Sequence, residues 1–445
     1  MDAISLEQQN QEPLDQFSVC LQHESWTRPQ LQYYQQAALR ACRDYAYAYS
    51  PFYQRFHRGL LDRPLQELPV LTKAMMMEQF DELVTDRAIH LAEVRQYLTA
   101  AEVPGLFLDR YQVSKTSGST GEPGIYLYDK TEVAIRGNSF FRSSSWGGAT
   151  PATRVASITS ATPLVVSGRK ATGLHLGAAA PLSAIVAALN EYQPEALLGY
   201  ASITAVLAEE QRAGRLHIAP RVVFCAADTL TAAMRQRIEA TWQTRLYNSY
   251  GTTEGGMLAA ECAAHQGLHL FEDFALLEVV DERNRPVPAG EQGDKVLLTV
   301  LFRHTQPLIR YELSDLVRVS TQQQCSCGRP FALLDNIEGR AIEVLFFPST
   351  TGQQERVSPY LFHTIFHPLP LSGWQVVQEQ DGLHIFLTGV SSELGDEQVC
   401  EALGQALSGR GLLVPSIEIH RVSALQHNSS GKTPMVLSHL PRQTS

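Results

Sequence analysis

Between Lys115 and Pro123 the chain reads Lys115-Thr116-Ser117-Gly118-Ser119-Thr120-Gly121-Glu122-Pro123, a density of hydroxyls and glycines that an ordinary turn does not need. Glycine lets the backbone approach an oxyanion and turn its N–H groups toward it, while Ser and Thr hydroxyls add donors around the same charge. The run suits a phosphate cradle; taken alone it also suits a surface turn, where Gly and Ser are common. It is not a Walker loop, because Gly121 is followed by Glu122-Pro123 instead of Lys and then Ser or Thr, and it does not fit G-x-G-x-x-G.

Four further segments follow in order: Tyr250-Gly251-Thr252-Thr253-Glu254, Arg310-Tyr311-Glu312-Leu313-Ser314-Asp315, Gly339-Arg340 and Ser430-Gly431-Lys432. Each alone has a plain alternative. A Glu after two Thr is an ordinary surface carboxylate, an Asp after Ser is a helix cap, and a Lys near a C-terminus is usually solvated. Together, over roughly residues 70 to 440, they resemble the adenylate-forming superfamily of acyl-CoA synthetases and adenylation domains, in its phenylacetate-CoA ligase-like branch.

The resemblance implies roles for these residues. Thr116, Ser117, Gly118, Ser119, Thr120 and Gly121 would cradle the β- and γ-phosphates of ATP, and Tyr250 would pack on adenine beside Gly251 and Thr252. Thr253 would meet the phosphate, Glu254 would help hold Mg²⁺, and Asp315 with Arg340 would fix the ribose. Lys432 would be the catalytic lysine. The chemistry asks for the same groups. Joining a carboxylate to the α-phosphate brings two anions together, so the site needs positive charge and fixed donors at the phosphorus. Mg²⁺ is usually held by one or two carboxylates together with phosphate oxygens and water, and an ionised Asp is a strong acceptor for ribose hydroxyls.

Several positions depart from the family's pattern. Glu122 stands where many relatives have Lys, Ile342 replaces the first Asp of the G-R-x-D-D hinge, Asn428 replaces an Arg before S-x-G-K, and Ala226-Ala227-Asp228 replaces a G-G-E-like turn. These changes leave the adenylation residues in place and bear on the second half-reaction, thioester formation. By resemblance the acyl pocket is lined by Phe140, Phe141, Trp146, Gly199, Tyr200 and Ser249, which points to an aromatic or aryl-acetic acid; the same aromatics also suit plain core.

The seven cysteines do not make a disulfide framework. Cys20, Cys42, Cys225 and Cys400 are scattered, as small buried apolar side chains are. Cys262 opens a segment containing His265 and His269, and Cys325-Ser326-Cys327-Gly328-Arg329 lies some sixty residues on. Three thiols and one imidazole make a closed tetrahedral site for structural Zn²⁺. Resemblance to the branch's C-x-C-G-R and G-[LM]-H segments favours His269 as fourth ligand, and the tighter C-x-x-H spacing keeps His265 as the alternative.

At 445 residues the chain exceeds what one core usually serves. Its 44% hydrophobic and 18% charged residues are ordinary for a globular protein, and a net charge of −10 argues against broad nucleic-acid or anionic-membrane surfaces. Met1 to Gln16 lack a basic start and an apolar stretch, and no apolar run reaches the roughly 18 residues of a membrane span, so a cytoplasmic location is expected.

The elements that must position these residues read as α/β. Glu7 to about Asp109 forms a helical cap, with Leu31, Tyr34, Ala38, Ala41 and Tyr45 along one helix face. Leu68 to Lys73 resembles the family's entry strand and loop, Tyr126 to Tyr128 alternates as a strand, and Ser139 to Trp146 is helical. Strands at Ala196–Tyr200 and Val222–Cys225 alternate with helices at 184–189 and Ala232–Trp242, which indicates parallel layers. Beyond Phe271 strands dominate, at Ala275–Val280, Lys295–Leu301 and Leu316–Val319. The expected architecture is a large N-terminal adenylate-forming domain, residues 1–338, with a helical cap to about 110 and a zinc subsite at about 262–327. A small mobile α+β lid, residues 339–445, follows with Lys432 on a loop and strands at Trp374–Gln378, Leu383–Leu387 and Ile417–Val422.

The expected function is ATP-dependent activation of a carboxylic acid as acyl-AMP, then transfer to CoA. The alternatives are transfer to an amine or a separate carrier protein, and a non-catalytic nucleotide-binding relative. No nucleic acid or membrane partner is expected, and a homodimer is compatible with the sequence.

Overall fold

A computed structural model describes residues 13–99, 105–116, 123–159, 165–166, 169–170, 173–340, 344–357, 359–366, 369–371, 373–426 and 434–440. The chain divides into two compact units. One comprises Met1–Ala152, Pro163–Thr172 and Tyr247–Asn336; the other comprises Thr153–Thr162, Gly173–Leu246 and Ile337–Ser445.

The first unit begins with helices, including Pro13–His23, Arg28–Tyr49, Pro51–Phe56, Lys73–Glu78 and Leu91–Thr99. Helix Arg28–Tyr49 buries Leu31, Cys42, Arg43 and Ala46, while Ala41 is exposed. Four turns at 3.6 residues carry the face from Leu31 to between Tyr45 and Ala46, so the stripe drifts past Ala41 onto Cys42 and the expected register there is corrected by one residue. The helix Lys130–Trp146 starts with a capping box in which Asp129 accepts from the Glu132 N–H and the Glu132 side chain from the Asp129 N–H. Glu132 is buried, and its other oxygen accepts from the amides of His304 at 2.6 Å and Thr305 at 2.8 Å, which anchors the helix to the loop after strand Lys295–Val300.

That strand lies between Ala275–Val280 and Tyr311–Leu313 in an antiparallel three-stranded sheet. Next to it in sequence, Gly256–Glu261 pairs with the 249–252 stretch of Arg245–Thr252 on one side and with Leu268–Leu270 on the other. Leu268–Leu270 pairs in turn with Leu333–Arg340. Gly267 makes this last pairing possible: its φ is +122°, and a Cβ there would lie 2.7 Å from the Leu334 carbonyl oxygen.

In the second unit, Leu174–Gly177, Val155–Thr159, Ala196–Gly199 and Val222–Ala226 are neighbours in parallel, with helices Leu182–Tyr192, Ala201–Arg212 and Ala232–Trp242 between or after them. Ala196–Gly199 is buried at every position, as expected for a strand covered on both faces. Leu189, Leu197, Ala208 and Ile238 join the core of these layers. Residues 345–436 build a separate core around a four-stranded sheet, where helices Pro359–Phe366 and Asp396–Ser408 supply Phe362, Phe366, Val399 and Leu403. Phe366 stacks on Trp374 with ring centroids 4.8 Å apart. The C-terminal stretch is α+β, and the molecule as a whole is a layered α/β protein. No helix among the described residues is long and apolar enough to cross a membrane.

Candidate active site and cysteine-histidine cluster

Strand Arg245–Thr252 turns back into Gly256–Glu261 through the segment that holds Thr253 and Glu254. Thr252 closes this turn by accepting the Gly255 N–H on its hydroxyl at 3.0 Å. Gly256 has φ +77° and lies against the Arg136 side chain, where a Cβ would come within 3.2 Å of Arg136 Cγ.

The turn is clamped from below by residues that no motif had singled out. The Tyr128 hydroxyl donates to the carbonyls of Thr253 and Glu254, the latter at 3.2 Å. Arg303, fully buried, donates to the Glu254 carbonyl at 3.0 Å and to the Leu127 carbonyl at 2.8 Å. The Tyr128 ring is sandwiched between Arg136 and Arg303, whose guanidinium carbons lie 3.9 and 4.2 Å from its centroid.

With its backbone held in this way, Glu254 accepts a 3.0 Å hydrogen bond on Oε1 from the Tyr126 hydroxyl, which lies 2.8 Å from the Tyr311 hydroxyl. Burial first, then the charge of Glu254, pushes Tyr126 well above the ordinary phenol range. Tyr126 therefore remains a neutral donor to the Glu254 carboxylate. Tyr250 donates its hydroxyl to Asp315 Oδ2 at 2.6 Å. The residues expected to meet adenine and ribose are therefore neighbours, and one Asp315 oxygen already serves Tyr250. Arg310, from the same segment as Asp315, is buried; it donates to the Leu68 carbonyl and pairs with Glu278 at 3.1 Å, so it braces the entry loop.

At the base of the expected phosphate cradle, the Thr116 amide donates to the Gly124 carbonyl at 3.0 Å and the Gly124 amide to the Thr116 hydroxyl at 2.8 Å. These two hydrogen bonds hold Thr116 and Gly124 together. Ser117, Gly118, Ser119, Thr120, Gly121 and Lys432 lie outside the described residues, and of Arg340 the backbone alone is described, at the end of strand Leu333–Arg340.

The residues expected around the acyl group have diverse settings. Gly199 ends its strand where a Cβ would sit 2.7 Å from the Thr204 hydroxyl, so the turn into helix Ala201–Arg212 itself requires glycine. Tyr200 and Ser249 are buried, Phe140 is half-buried and Phe141 is exposed. Trp146 packs edge-on against His269 and Phe271, donates to Glu24 at 3.0 Å and lies under the Arg329 guanidinium at 4.3 Å. It is committed to the core around the cysteines.

In that core Cys262, just past the end of Gly256–Glu261, lies 3.6 Å from Cys325 between sulfurs, and Cys327 lies 3.3 Å from His269 Nε2. All four ligand atoms lie within 4.8 Å of one another. Zn–S bonds of about 2.3 Å at tetrahedral angles put sulfurs about 3.8 Å apart, so the spacing fits a zinc ion. Burial first, then nearby Arg329, lowers His269 to about 4, which keeps the imidazole neutral as a ligand must be. His265 is outside this group: it sits in a turn at φ +50°, 3.3 Å from Glu261 and against Tyr247.

A polar network backs the cluster. Arg142, fully buried, makes a two-pronged pair with Asp273 at 2.8 and 2.7 Å, and His23 meets the same carboxylate at 2.7 Å. Burial would raise the Asp273 carboxyl, but Arg142 overrides it and holds it far below the usual range. Glu24 joins Trp146 to Arg329 at 2.8 Å. These partners are up to 305 residues apart in sequence, and no local pattern announces them.

Residues 109–297 match the AMP-binding enzyme family. The chain is 26% identical over 391 residues to a phenylacetate-coenzyme A ligase of Thermus thermophilus, covering 81% of this chain and 80% of that protein. It is also 26% identical over 278 residues to a phenylacetate-coenzyme A ligase of Escherichia coli, spanning 62% of that protein. In fold it is similar to a 2-hydroxyisobutyryl-CoA ligase in the postadenylation state with 2-HIB-AMP, with a TM-score of 0.72, 19% identity, and coverage of 94% of this chain and 91% of that one.

Proposed function

We propose that this chain, an adenylate-forming enzyme of the AMP-binding family and a phenylacetate-CoA ligase-like one, joins a carboxylic acid to AMP from ATP with release of pyrophosphate and then passes the acyl group to CoA. The observation that carries the reading is the pair of oriented carboxylates. Glu254 is aimed by Tyr126 and clamped through its own carbonyl, and Asp315 is held by the tyrosine expected under adenine.

In this reading Glu254 takes Mg²⁺ beside the triphosphate, and Thr253 contacts the phosphate. Tyr250, Gly251 and Thr252 line the adenine side, Asp315 and Arg340 hold the ribose, and the loop from Thr116 to Gly121 cradles the β- and γ-phosphates. Lys432 enters with the C-terminal lid, from residue 339 onward, and bridges the incoming carboxylate and the α-phosphate, stabilising charge that grows in the transition state. The acid is aromatic or aryl-acetic. Phe140, Gly199, Tyr200 and Ser249 are the pocket residues, and relatives named phenylacetate-coenzyme A ligase support the class. Cys262, His269, Cys325 and Cys327 would hold a structural zinc ion, the four protein ligands leaving no position for substrate. A reducing cytoplasm suits these thiols.

Replacing Lys432 by Ala tests the chemical step. Acid-dependent pyrophosphate release should fall about 10²–10³-fold, as when a single transition-state donor is removed, with the thermal midpoint unchanged. Release at the normal rate would remove the adenylation reading.

A further inference from the structure

In the C-terminal sheet, Gly382–Thr388 and Ile417–Arg421 run parallel, with His384 opposite Glu418 and Phe386 opposite His420. Strand alternation sends Leu383, Ile385 and Leu387 into the core and leaves His384, Glu418 and His420 together on the outer face. His384 Nδ1 lies 3.0 Å from His420 Nε2 and 3.6 Å from Glu418 Oε2, and His420 Nε2 lies 3.8 Å from Glu418 Oε1. The imidazole planes lie within 13° of each other with centroids 5.3 Å apart, the two nitrogens meeting edge to edge, and Phe386 backs the His420 ring at 4.7 Å. On the far side of His384, Nε2 lies 3.0 Å from Asp381 Oδ1.

Asp381 fixes what His384 offers. A carboxylate at Nε2 keeps the proton on that nitrogen, so the Nδ1 lone pair faces the cluster, where His420 Nε2 meets it. Two nitrogens bound at about 2.1 Å to a tetrahedral cation lie about 3.4 Å apart, so His384 and His420 would open by a few tenths of an ångström from their 3.0 Å contact to take one. A carboxylate on the outer nitrogen of a ligating histidine is the common second-layer support of metal sites. Imidazole and carboxylate together suit Zn²⁺, Ni²⁺ or Cu²⁺.

We propose that His384, Glu418 and His420 form a binding site for a divalent transition cation, with Asp381 as its positioning carboxylate. The site differs from the cysteine cluster in its chemistry. Three protein ligands at a surface where His384 and His420 are 19% and 30% exposed leave positions for water or an outside ligand.

The full-length chain, stripped with chelator and gel-filtered, is titrated with Zn²⁺ and the bound equivalents are counted. The His384→Ala/His420→Ala protein should bind one equivalent fewer than wild type, while its melting midpoint in chelator stays the same. Cys325→Ser/Cys327→Ser should retain that equivalent. Asp381→Asn should keep it with an affinity about 10–100-fold weaker. If the double histidine variant takes up as many equivalents as wild type with equal affinity, the site does not exist; unchanged affinity in Asp381→Asn would remove Asp381 from it.

Discussion

The carboxylates at Glu254 and Asp315 and the cluster of Cys262, His269, Cys325 and Cys327 share one unit yet follow opposite rules. At the first, tyrosine hydroxyls orient two carboxylates through hydrogen bonds. At the second, four ligand atoms converge on one another, and a buried ion network of Arg142, Asp273 and His23 stiffens the surroundings. Oriented charge suits turnover, whereas a closed tetrahedron suits permanence. Changes at the two places should therefore separate activity from stability.

The largest effect belongs to the network behind the cluster. Asp273→Ala removes the two-pronged partner of buried Arg142, leaving Glu24 3.6 Å away, and should cost about 3 kcal/mol, read as a fall in the denaturant midpoint. The residual folded protein should keep its rate of pyrophosphate release per folded molecule; loss of that rate would tie the network to catalysis and erase the contrast.

Next is the metal. If zinc closes the cluster, Cys325→Ser or chelation should lower stability by about 3 kcal/mol when free zinc is a hundredfold above its dissociation constant in the wild type. A melting curve indifferent to both would leave the four residues without a metal. The smallest effect sharpens the other side. Tyr126→Phe removes one hydrogen bond to a charged group and should slow adenylation about tenfold, with little change in melting. A fall in stability without a fall in rate would make Tyr126 a core residue and not a positioning one.

Legibility in the sequence followed the same division. The Tyr250–Glu254 and Asp315 segments are contiguous strings, and their resemblance to a nucleotide site could be noticed because turn and candidate ligand residues lie together. Cys325-x-Cys327 was readable for the same reason, and the resemblance favoured His269 over His265 as fourth ligand. Pairing Leu268–Leu270 with Leu333–Arg340 brings His269 to the thiols, while the turn sends His265 to Glu261. Trp146 was expected beside substrate because a motif order says nothing about which face of a helix points where; the helix turns it toward His269. Arg303 was not singled out, and Tyr126 and Tyr311 were read only as members of a strand and a motif, since a buried clamp drawn from three strands or loops has no spacing of its own. His384 and His420 sat in strands that alternation had already indicated, but their meeting depends on parallel register, which one strand at a time does not reveal.

The most direct measurement is pyrophosphate release from ATP and Mg²⁺ across a panel of aryl, arylacetic and short aliphatic acids, each with and without CoA. An AMP-forming carboxylate-CoA ligase gives release with one class of acid, accelerated by CoA and accompanied by the acyl-CoA thioester. Release that CoA leaves unchanged, with no thioester, would contradict CoA as the acceptor, and no release with any acid would contradict adenylation itself.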